Sequence, residues 1–192
     1  MALSKDNIIT LPNHHLRQKS QRIGQVNEHI KLIAKDMISA TMSWDASRDH
    51  EVGVALAAVQ IDQLYRIIVV RNNVDNKEDN SFTVFINPEI TKMEGELVND
   101  YEGCLSVPSI YGKIKRYPRV RVKALNLNGE YFKVNAEGFL ARVFQHEVDH
   151  LNGVVFIDHI KNDQDAFYQL CEDGKLKQLD YDDIKDDPIL WE

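Results

Sequence analysis

The chain has 192 residues, 43% of them hydrophobic and 28% charged, enough for one folded domain with its own core. Its formal net charge of -7 argues against an affinity built mainly on neutralising phosphates, so direct nucleic-acid binding is not expected. No run reaches the ~20 apolar residues of a membrane span. The start, MALSKDNIITLPN, lacks the basic-then-apolar pattern of a secretory signal and is not an arginine-rich transit segment, so a cytoplasmic location is expected.

From Val26 the apolar residues Val26, Ile30, Ile33, Met37, Ala40 and Trp44 recur at helical spacing, which predicts a long amphipathic helix over about 25–46. After a polar break and GVALAAVQ come the strand-like runs YRIIVVR at 65–71 and FTVFINPEI at 82–90, separated by the turn-forming NNVDNKEDN. Asn128-Gly129 between two alternating segments signals a hairpin. A second helix is expected from near Gly138 to a glycine cap at Asn152-Gly153. A last helix is predicted through DAFYQLCED, capped by Asp163 and ended by Gly174; it would hold Cys171 as a packing residue. No repeat or linker divides the chain. We expect one domain over 1–171 and an acidic tail over 172–192, with eight acids against three lysines.

Chemistry concentrates in FQHEVDHLNG. His146 and His150 stand four apart, so on a helix both imidazoles leave one face about 6 Å from each other, as a shared metal ion requires. Burying them with Glu147 and Asp149 in this apolar helix, without partners, would cost several kcal/mol. A bound metal offsets that cost. The third ligand decides the chemistry. The metzincin pattern fails, because Phe156 stands where its third histidine is required. A thermolysin-like site could use Glu172, 22 residues after His150. The other candidate is Cys104 in YEGCLSVPS, a better ligand for a soft or borderline ion. Gly103 and Pro108 beside it suit neither a helix interior nor a strand core. On the residues alone both candidates stay open. In a reducing compartment Cys104 and Cys171 are expected as thiols.

Three segments together resemble the signature motifs of the peptide deformylase family: EGCLS at 102–106, QHEVDH at 145–150, and GVALAAVQ at 53–60, where the family usually has G-x-G-L-A-A-x-Q. HHLRQKS near the start and INPEI at 86–90 extend the likeness over about residues 8–160. The resemblance implies an α+β fold, with antiparallel strands around a central helix carrying the metal motif and a long N-terminal helix beside them. It implies a metal-dependent hydrolase that removes the N-formyl group from formyl-methionyl nascent peptides and releases formate. Cys104, His146 and His150 would be the metal ligands, typically for Fe(2+), with Ni, Co or Zn able to substitute. Glu147 would move protons, and Gln60 with the Leu105 backbone N–H would stabilise the oxyanion. Val54 and Gly103 would pair with substrate backbone, and Val143 would line the methionine pocket. Glu102 would form an ion pair with Arg116. Without the resemblance Gln60 passes for a surface residue.

Two departures stand out. Ala55 replaces the second motif glycine, so either the backbone is strained there or a methyl group narrows the cleft. This leaves open a non-catalytic paralogue that binds formylated N-termini. The tail is acidic, which argues against tail-mediated docking to a transiently associated ribosome.

Overall fold

The computed structural model describes residues 2–74, 76 and 78–191. Its first helix, α1 (Glu28–Asp45), begins where the Asn27 side chain accepts from Ile30 N–H, three residues later than the apolar periodicity alone suggests. Strands β1 (Ala55–Ala57), β2 (Ile67–Arg71), β3 (Phe82–Glu94), β6 (Arg119–Leu125) and β7 (Tyr131–Glu137) form a five-stranded antiparallel sheet in the order β1-β2-β3-β6-β7. Between β3 and β6, strands β4 (Val98–Cys104) and β5 (Val107–Arg116) leave to start a second sheet, completed by β8 (Phe167–Leu170) and β9 (Leu176–Gln178) in the order β4-β5-β8-β9. All its pairings are antiparallel too.

The run Ile67-Ile68-Val69-Val70 is buried along its whole length because its sheet is covered on both faces. With side chains alternating, Ile67, Val69, Leu56 and Ile86 pack against Ile30, Ile33, Ala34 and Met37 of α1. Ile68, Val70, Ala57 and Phe85 face the other way and pack against Ala141, Val143 and Phe144 of α2 (Gly138–His150). This second helix, bounded as the sequence predicts, therefore lies against the sheet, with the β4–β5 hairpin alongside it. A third cluster, including Val107, Ile114, Phe156, Ile157 and Phe167, joins β5 to the segment after α2. The Asn128-Gly129 hairpin connects β6 and β7, with Gly129 at φ +79°.

The helix expected after Asp163 does not form. Phe167–Leu170 is instead strand β8, paired in register with β5, and Cys171 lies in the turn leading to β9 (Leu176–Gln178). The edge of β5 offers those residues a ladder, and Phe167 a fully buried site. A short isolated helix would supply neither. β4 and β5 also escaped the sequence reading. Pro108 is tolerated within β5 because the pairing jumps from Gly103↔Tyr111 to Cys104↔Val107, a bulge that holds Ser109 at φ +64°. In the acidic segment beyond β9, Ile184 and Leu190 are buried in the third cluster and Trp191 Nε1 donates to the Ile184 carbonyl. No helix among the described residues is long and apolar enough to cross a membrane.

Candidate metal centre

The centre is assembled from two elements distant in sequence. One helical turn of α2 places the His146 and His150 rings side by side, with Nε2 atoms 3.2 Å apart. Strand β4 ends beside them, so that Cys104 Sγ lies 3.2 Å from His150 Nε2. The three donor atoms fall within 4.8 Å of one another, the only such group among the described residues. Glu172 lies apart, in the turn before β9, which removes the carboxylate alternative for the third ligand.

The surroundings fit a divalent ion. Burial pushes the Cys104 thiol up, but His150 and His146 more than reverse this and bring it to about 5, favouring thiolate. His146 turns its other nitrogen, Nδ1, to Glu102 Oε2 at 3.1 Å, a contact that fixes ring orientation and leaves Nε2 facing the sulfur. Glu102 also receives Arg116 Nε and Nη2 at 2.8 and 3.0 Å, and Arg142 Nη1 at 2.8 Å. Burial opposes its ionisation, yet hydrogen bonds from His146 and Arg116 hold it well below the usual carboxylate range. Arg116 in turn reaches Asp149, which also bonds His159.

Glu147, 4% exposed, is pushed up to about 7 by burial, against the pull of the two histidines. Its Oε2 is buried with no hydrogen-bond partner among the described residues. Such an atom is free to engage a water or a substrate proton. Above the centre lies a cleft of about 210 Å³. Val54, Ala55 and Gln60 line one side, Gly103, Cys104 and Leu105 the other, with Val143, His146 and Glu147 along α2.

A family model described as polypeptide deformylase matches residues 5–166. The chain belongs to the polypeptide deformylase family. It is 44% identical over 158 residues to a peptide deformylase of Thermomicrobium roseum, covering 81% of this chain and 85% of the relative. It is likewise 44% identical over 144 residues to peptide deformylase 1 of Clostridium perfringens, covering 75% and 90%. Among solved structures, that of the Thermotoga maritima peptide deformylase matches with a TM-score of 0.70 and 38% identity, over 79% of this chain and 95% of that one. The Acinetobacter baumannii enzyme, solved with Met-Ala-Ser bound, matches with a TM-score of 0.72 and 30% identity, over 83% and 99%. The deformylase family is metal-dependent, and the Cys104, His146 and His150 cluster is a possible site for the ion.

Each residue singled out from the deformylase motifs lines or adjoins this one cleft. Gln60 departs most from its isolated appearance. It is 2% exposed, its Oε1 accepts from Ala57 N–H at 2.9 Å, and its Nε2 points to Ser106 Oγ at 3.1 Å and Cys104 Sγ at 3.6 Å. Ala55 lies in extended strand β1 and does not have a positive φ, so its methyl group lines the cleft without backbone strain. Ser106 and Arg142 escaped the sequence reading. Arg142 had a signal: it precedes His146 by one helical turn, so it shares the ligands' face and, in an apolar helix, demands a buried acid.

Proposed function

We propose that this chain hydrolyses the N-formyl group from the N-terminal formyl-methionine of nascent polypeptides in the cytoplasm, releasing formate and a free amine. The observation that carries the reading is the convergence of one cysteine sulfur and two imidazoles beneath a cleft that also holds the buried Glu147 side chain. In our reading Cys104, His146 and His150 hold Fe(2+); nickel, cobalt or zinc can occupy the same sulfur and nitrogen donors. When bound, the ion supplies Lewis-acid chemistry, making water a nucleophile near neutral pH.

Glu147 takes a proton from the attacking water and delivers it to the departing amine nitrogen as the C–N bond breaks. Its buried Oε2, without a hydrogen-bond partner among the described residues and set between the two histidines, suits both halves of that task. Gln60 Nε2 and the Leu105 backbone N–H donate to the oxygen of the formyl carbon as charge develops there. Each such donor is worth about 2.7–4 kcal/mol of barrier. The bond from Ala57 N–H to Gln60 Oε1 fixes which end of the amide faces the centre. Val54 and Gly103 pair with the substrate backbone, and Val143 contributes to an apolar pocket for the methionine side chain. Any ribosome contact is transient and made without the acidic C-terminal segment.

The test is formate release from formyl-Met-Ala-Ser by protein purified without oxygen and loaded with iron(II) or nickel(II). We expect rapid release, abolished in Glu147→Ala with the metal retained. Peptide binding without release, from fully metallated protein, would overturn the enzymatic reading in favour of a non-catalytic binder.

A further inference from the structure

Tyr111 stands opposite Gly103 in the β4–β5 ladder, and its ring lies across the face of that glycine. A Cβ at position 103 would sit 2.6 Å from Tyr111 Cε1 and 2.7 Å from Cζ, so a glycine there is what lets the ring fold over β4. From this position the Tyr111 hydroxyl donates to Glu51 Oε1 at 2.9 Å. Glu51 belongs to the segment between α1 and β1, which leads into the five-stranded sheet, while Tyr111 belongs to the other sheet. Both residues line the cleft.

The two cleft walls are secured differently. The wall at 53–54 is tied to its own sheet from behind. The buried Asp45–Arg71 ion pair grips Gly53 through its N–H to Asp45 Oδ1 and through Arg71 Nε to its carbonyl at 3.2 Å. Arg71 N–H also donates to the Val54 carbonyl at 2.8 Å. Among the described residues no strand pairing joins β1 to β4.

We propose that the Tyr111–Glu51 hydrogen bond bridges the cleft, sets the spacing of its walls, and thereby fixes how tightly the peptide beyond formyl-methionine is held. Both are positioning residues, acting through Val54 and Gly103; the inference rests on the deformylase reading above. Burial and the Glu51 charge raise the Tyr111 phenol above its ordinary value, so it remains a donor at every working pH. Glu51 Oε2 lies 3.8 Å from Arg48 Nη1, which steadies the acceptor.

The experiment compares Tyr111→Phe, Glu51→Ala, Glu51→Gln and the double variant Tyr111→Phe/Glu51→Ala. Metal-loaded protein is assayed on formyl-Met-Ala-Ser and on formyl-methionine amide, and binding of Met-Ala-Ser is followed by Trp44 fluorescence, since Trp44 lines the cleft. Losing one hydrogen bond's worth of positioning is expected to raise KM for the tripeptide and Kd for Met-Ala-Ser about three- to tenfold. Tripeptide kcat should stay within about twofold and the short amide should be little affected. Glu51→Gln keeps an acceptor oxygen and should restore near-native binding, and the double variant should be no worse than either single change. An unchanged KM in Tyr111→Phe, an equal loss on the short amide, or a Glu51→Gln as impaired as Glu51→Ala would overturn the bridge. If the unmodified protein releases no formate, the deformylase reading falls, and the Met-Ala-Ser binding series still decides the bridge.

Discussion

Glu102→Gln removes one charge and almost no volume, yet it strikes the point where the metal centre meets the core. Oε1 accepts from Arg116 Nε and Arg142 Nη1; Oε2 accepts from Arg116 Nη2 and faces His146 Nδ1. An amide has one oxygen, and whichever way it turns, its NH2 meets two groups that themselves donate. At least two bonds are lost, worth about 1.5–3 kcal/mol each when charged groups take part. The set of buried Glu102, Arg116 and Arg142 with half-buried Asp149 also changes from balanced to singly positive. Breaking a buried pair in this way costs about 3–5 kcal/mol, a large share of the roughly 5–15 kcal/mol by which a domain is stable. His146 loses the carboxylate that orients it, so metal affinity should fall about 10–100-fold. Urea unfolding of the metal-free protein reads the first effect, and chelator competition reads the second. A stability loss below about 1 kcal/mol together with unchanged metal affinity would refute this account of Glu102 as the joint between core and centre.

Three further outcomes are expected. Cys104→Ala should leave protein that no longer retains a stoichiometric divalent ion by elemental analysis, whereas Glu172→Ala should retain it. Gly153→Ala should lower stability by about 2 kcal/mol or more in thermal unfolding, because φ is +76° there and the new Cβ would collide with the Arg17 carbonyl. Ala55→Gly, which restores the usual family residue, should keep formate release and cost about 0.5–1 kcal/mol of stability, since the strand is extended and gains only conformational freedom when unfolded.

The pairing of His146 with His150, the helix that carries them and the Asn128-Gly129 hairpin were legible because each is local. Periods of 3.6 and 2 residues and the demands of a tight turn act over a few positions and read directly from the chain. The same reasoning failed at 163–174, where polar ends and a glycine imitate a helix. Only the open edge of β5, supplied from elsewhere in the chain, makes Phe167–Leu170 a strand.

The choice between Cys104 and Glu172 had the same character. Motif resemblance pointed to the cysteine, but residue spacing could not, because β4 reaches α2 only once the chain has divided its strands between two sheets. Gln60 looked like a surface residue for a related reason: its burial and its aim at Cys104 come from β1 and the β4–β5 turn closing on each other. The residues by themselves determined the donor types, their local spacing and a core large enough to hold them. Tertiary structure decided which distant donors meet, which acid steadies the buried arginines, and how wide the cleft stands. Those distances are set by the packing of whole sheets and helices, and no short stretch of sequence encodes them.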